Sequence, residues 1–97
     1  MNFKGQVAVV TGAATGIGRA IALKLAEKGA SVMTADINED AAAQTADEAR
    51  EISGNSSSFV TDVTDLEACD GLVNATVDEL GSADFLINNA GIAGSAG

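Results

Sequence analysis

The segment Thr11-Gly12-Ala13-Ala14-Thr15-Gly16-Ile17-Gly18 has the spacing T-G-x-x-x-G-x-G. Glycines so placed suit a backbone that must wrap a phosphate. Gly12 allows a tight turn. Gly16 removes the Cβ that would hold a phosphate away, and Gly18 lets a helix pack closely on its strand. Exposed N–H groups and the positive end of a helix dipole then attract a pyrophosphate. A Walker-type loop is excluded, because it needs Lys and then Ser or Thr after the last glycine, and Arg19-Ala20 follow here. Asp36 follows the glycines at about the spacing, ~20 residues, where a carboxylate can accept from a ribose 2′-hydroxyl. Such a carboxylate repels a 2′-phosphate, so NAD is expected over NADP. The bland alternative is a turn residue after a strand. Neither Thr15 nor Ile37 supplies a base for a 2′-phosphate, and Arg19 reads as a surface charge. Asp62-Val63 can take an adenine amino group and ring face, or can simply precede a helix cap. Asn88-Asn89-Ala90-Gly91 offers small residues that let a ligand approach and amides that tie neighbouring strand ends together.

These positions need elements to hold them. Gln6–Thr11 is a short Val-rich run ending at a glycine, which suits a strand buried on both faces. From Ile17 to Lys28 the period becomes helical. Ile17, Ala20, Ile21 and Leu25 are expected to face inward, and Gly29 stands at the C-cap. Ser31–Ala35 is a second strand ending at Asp36. Asn38 caps a helix over Glu39–Ile52, with acids in its first turn and Gly54 past its end. The alanines of that helix give high propensity but a thin apolar face. Ser57–Thr61 is a weaker third strand. Thr64-Asp65-Leu66-Glu67 forms a capping box. The helix it opens carries Leu66, Cys69, Leu72, Val73, Val77 and Leu80 on one side, is weakened by Gly71, and ends at Gly81. Cys69 there reads as a small core residue. Asp84–Asn88 is a fourth strand. The order β-α-β-α-β-α-β predicts an α/β layered fold with a parallel sheet and right-handed crossovers. A linker, a repeat and a second domain are all missing from the pattern.

Composition narrows the chemistry. The 97 residues hold 14 Asp and Glu against 5 Lys and Arg, no His, no Tyr, no Trp and one Cys. A Ser-His-Asp triad and a Cys/His zinc site are therefore excluded. Every base lies before residue 51, so the second half is uniformly acidic. Nucleic acid and anionic membranes are unsuited partners for such a chain. The lone Cys and the lack of a signal-like apolar start fit a reducing cytoplasmic setting.

Together these residues resemble the short-chain dehydrogenase/reductase family. The glycine pattern, Asp36, Asp62-Val63 and, most specifically, Asn88-Asn89-Ala90-Gly91 match it. The opening is similar to the 3-oxoacyl-carrier-protein reductase and glucose dehydrogenase branches, and the likeness runs through residues 4–92. It implies a Rossmann-like, partial doubly wound parallel sheet of strand order 3-2-1-4. It also implies an NAD(P)-dependent oxidoreductase moving hydride between nicotinamide C4 and a carbonyl or secondary alcohol. By that likeness Gly12, Ala14, Thr15, Gly16, Ile17 and Gly18 would surround the pyrophosphate and adenosine ribose. Asp36 and Ile37 would take that ribose and one adenine face, and Asp62 and Val63 would hold adenine. Asn89, Ala90 and Gly91 would lie along the ribose nearer the nicotinamide.

The family's proton donor is the Tyr of a Tyr-x-x-x-Lys motif, helped by a Ser and an Asn, all normally beyond the point where this chain stops. The chain has no Tyr, and its last Lys is Lys28. No catalytic residue is thus expected in residues 1–97, which read as the incomplete, cofactor-binding part of one domain. The fourth strand would be an edge, inviting self-association or a complementing chain. Three readings stand: a fragment of an oxidoreductase, a minimal nucleotide-binding module, and a structural subunit completed by a second chain.

Overall fold

The computed structural model describes residues 2–14, 16–52, 54–62 and 66–89. Its elements are β1 (Val7–Thr11), α1 (Gly16–Glu27), β2 (Ser31–Asp36), α2 (Glu39–Ile52), β3 (Ser57–Val60), α3 (Leu66–Leu80) and β4 (Phe85–Asn88). The four strands form one parallel sheet of order β3-β2-β1-β4. This is the expected α/β, Rossmann-like arrangement.

The continuous apolarity of Val7–Thr11 has its physical cause here. β1 is buried along its whole length because both sheet faces are covered. Side chains alternate between those faces. Val9, Met33 and Ala35 pack with Leu72 of α3, joined by Phe59 and Leu80. Val10 and Val32 pack with Ala22 of α1, joined by Ile21, Leu25 and Ile87. The Thr34 hydroxyl donates to the Ala42 carbonyl of α2 at 2.8 Å, so α2 shares the face of α1. The result is three layers, with α1 and α2 on one side and α3 on the other.

Local signals fix the helix ends. Asn38 Oδ1 accepts from the Ala41 N–H at 3.1 Å, the expected N-cap of α2. The thin alanine face of α2 is its inner face: Ala42, Ala46 and Ala49 are buried with Thr45. The capping box Thr64–Glu67 lies outside the residues whose side chains are described, as does the Leu66 side chain.

Two faces differ from expectation. On α1 the buried stripe is Gly18, Ala22 and Ala26, whereas Ile17 and Ala20 face solvent. The helix is turned so that its smallest residues meet the sheet and loop, which permits a close approach that Ile would block. On α3, Leu72 and Thr76 are buried, but Val73 and Val77 are left 40% and 43% exposed. α3 packs over β1, β2 and β3, and the described residues place nothing over its far flank.

Candidate functional site

The carboxyl ends of the four strands bring the separate motifs into one row. Thr11 is level with Ala35 and with Asn88, and Asp36 is level with Val60. Across the sheet the order is therefore Asp62 beyond β3, Asp36 on β2, the glycine loop after β1, and Asn89 beyond β4. Open α/β sheets bind ligands in the crevice at such strand ends, where the order reverses. Here the reversal falls between β1 and β4.

The loop geometry follows from its glycines. Gly12 leaves β1 with φ 63°, a left-handed conformation that a side chain would disfavour. The loop then turns into α1, whose first turn contains no acidic residue. The positive end of that helix dipole is thus not neutralised from within, unlike α2, which starts with Glu39 and Asp40. Among the described residues, a Cβ on Gly16 would meet nothing within 4 Å. Gly18 is the opposite case: its Cβ would lie 1.9 Å from the Gly12 carbonyl oxygen. The close approach is between the helix and the glycine loop rather than the strand.

Two amides brace the β4 side. The Thr11 hydroxyl donates to Asn88 Oδ1 at 3.0 Å, and Asn89 Nδ2 donates to the Gly12 carbonyl at 3.4 Å. This is the tie between strand ends that the Asn pair suggests. On the β2 side, Asp36 Oδ2 accepts from the Ala14 N–H at 3.2 Å and Oδ1 accepts from the Asn38 N–H at 3.0 Å. The bond to Ala14 is not readable from the sequence. An acid at a strand end and a glycine loop are both visible there, but not that they meet.

Ile37 is 72% exposed and Ile17 69% exposed, the two most exposed large apolar side chains in the described molecule. Asp62 is exposed as well. Arg19 pairs with Glu48, tying α1 to α2 as a surface charge. Thr15, Val63, Ala90 and Gly91 lie outside the described residues. Among the described residues, no helix is long and apolar enough to cross a membrane.

Comparison with known proteins adds to this geometry. The sequence model of the short chain dehydrogenase family matches residues 6–97. The chain is 38% identical over 91 residues to 7alpha-hydroxysteroid dehydrogenase from Escherichia coli (strain K12), covering 94% of this chain and 36% of that protein. It is 42% identical over 92 residues to the 3-oxoacyl-(acyl-carrier-protein) reductase FabG of Vibrio harveyi, covering 95% and 36%. Among solved structures, an NAD+-bound xylitol dehydrogenase superposes with a TM-score of 0.82 at 41% identity, over 89% of this chain and 33% of that one. The chain thus spans about a third of the length of these relatives. A family match over nearly the whole chain, with the same fold beneath it, means that the chain belongs to the short-chain dehydrogenase family.

Proposed function

We propose that residues 1–97 form the NAD-binding part of a short-chain dehydrogenase oxidoreductase, the cofactor-binding portion of a single domain. One observation carries this: the glycine loop, Asp36, Asp62 and Asn89 stand in one row at the carboxyl ends of the strands, with an un-neutralised helix N-terminus behind the loop. The room that the described residues leave at Gly16 and the exposed Ile17 and Ile37 suit a ligand with both anionic and flat apolar parts.

In this reading Gly12, Ala14, Thr15, Gly16, Ile17 and Gly18 seat the pyrophosphate and the adenosine ribose. Asp36 accepts from the ribose hydroxyls and excludes a 2′-phosphate. Ile37 and Val63 flank the adenine, and Asp62 takes its amino group. Asn89, Ala90 and Gly91 line the ribose nearer the nicotinamide. Bound NAD supplies a hydride-accepting carbon at nicotinamide C4. The residues of this chain bind and orient that group. With no Tyr in its sequence, the chain supplies no Tyr proton donor, and by itself it is inactive as a dehydrogenase.

Calorimetric titration with NAD and with NADP tests the proposal. Saturable NAD binding is expected, with NADP weaker by on the order of 10–100-fold because its 2′-phosphate faces a carboxylate. No heat with NAD would overturn the binding role. Equal affinities would overturn the role of Asp36 in selection.

A second reading concerns partners. β4 ends the sheet, and beside it Leu86 is 59% exposed and adjoins Val73. Unpaired strand edges flanked by apolar surface promote association. We propose that this flank pairs with a second copy of the chain or with a complementing chain.

A further inference from the structure

We propose that Asp36 has a second task besides selecting the ribose: its carboxylate is the latch that positions the glycine loop before any ligand arrives. This rests on the reading above only for what the loop binds; the latch is a property of the ligand-free chain.

Among the described residues the loop has few anchors. On the β4 side Asn89 Nδ2 donates to the Gly12 carbonyl at 3.4 Å, one residue past the Thr11–Asn88 tie at the strand end. On the β2 side Ala13 donates to the Ala35 carbonyl, also at 3.4 Å. Among the described residues, the shortest hydrogen bond that Gly12, Ala13 or Ala14 makes outside the loop is Ala14 N–H to Asp36 Oδ2 at 3.2 Å, and it is charge-assisted. Ala14 is 7% exposed, so without Asp36 its N–H would have little access to water.

Asp36 is itself fixed on two further sides. Its Oδ1 accepts from Asn38, and its backbone carbonyl accepts from the Thr61 N–H at 3.1 Å. One residue therefore ties the loop after β1, the turn into α2 and the end of β3. Each carboxylate oxygen can still accept another hydrogen bond, so the latch and a ribose contact are compatible on the same atoms. Ribose selection and the placing of the pyrophosphate seat are then coupled through one side chain. Replacing Asp36 to change cofactor preference would loosen the loop as well.

Two experiments test the latch, the first needing no ligand. Amide hydrogen exchange is followed by NMR in the ligand-free wild type, Asp36→Ala and Asp36→Asn. In Asp36→Ala, Ala14 should exchange about tenfold faster, while Val9 and Val32 amides in the sheet keep their rates and report an intact fold. Asp36→Asn retains one acceptor oxygen, so its Ala14 rate should fall between the other two. An Ala14 rate unchanged in Asp36→Ala overturns the latch. The second experiment uses an NAD analogue whose adenosine ribose is 2′,3′-dideoxy. If Asp36 acted only on the hydroxyls, wild type and Asp36→Ala would bind this analogue equally, which overturns the latch. With a latch, Asp36→Ala binds it several-fold more weakly. If Ala14 loses protection in Asp36→Ala but no form binds NAD, the latch stands and the NAD-binding reading fails.

Discussion

An alanine Cβ at Gly18 would sit 1.9 Å from the Gly12 carbonyl oxygen and 2.8 Å from Asn89 Nδ2. Neither the loop backbone nor the braced amide can retreat without moving the seat between them. Gly18→Ala should lower stability by ~1–3 kcal/mol, the usual range for overpacking, and weaken dinucleotide binding with it. Gly71 is a helical glycine of the other kind, exposed, with none of the described residues within 4 Å of where a Cβ would stand. Gly71→Ala should raise stability by ~1 kcal/mol through helix propensity alone. Urea midpoints of the two variants check both signs; a Gly18→Ala as stable as wild type would mean that the loop yields freely. The glycine spacing was legible in the sequence because it is a local rule. The Asp36–Ala14 bond was not, because it joins residues whose proximity depends on how two strands align.

At the scale of elements, α2 was the most readable. Asn38 and Gly54 bracket it with opposite end signals, and its observed limits are those expected. Asn38→Ala removes the acceptor for Ala41 and should cost about 1 kcal/mol, measurable as a fall in the thermal midpoint; an unchanged midpoint would leave the cap without energetic weight. The face of α1 was harder to read. Of the expected face, Ile21 and Leu25 do pack on the core, while Ile17 and Ala20 give way to a stripe of Gly18, Ala22 and Ala26. Hydrophobicity alone would turn Ile17 inward, but the need to approach the loop within van der Waals contact puts Gly18 there. In α3 the apolar positions outnumber those the sheet can cover, so Val73 and Val77 remain outside.

For the whole molecule, alternation of strands and helices was enough to give the parallel sheet, and the family resemblance added its order. What it could not give is how much surface stays bare. The flank of Val73, Val77 and Leu86 beside the β4 edge should make the chain associate at micromolar concentration. Leu86→Lys places a charge on that edge and should shift the chain to monomer in sedimentation velocity. A compact wild-type monomer under the same conditions would refute the association. One end of β4 is sheltered by Phe3, whose ring meets that of Phe85 edge-on at 5.7 Å, so the substitution is placed away from that contact.

The strand order has a consequence in time. β1 sits at the middle of the sheet, yet its β4 neighbour begins at Phe85. A ribosome adding ~5–20 residues per second needs roughly 2.5–10 s to proceed from Asp36 to Phe85. During that interval β1 and β2 can pair on the nascent chain while the other flank of β1 waits uncovered. The segment made in that interval becomes base-free after Arg50. Its like charges should oppose association of unfinished chains until β4 emerges and Asn88 can close onto Thr11.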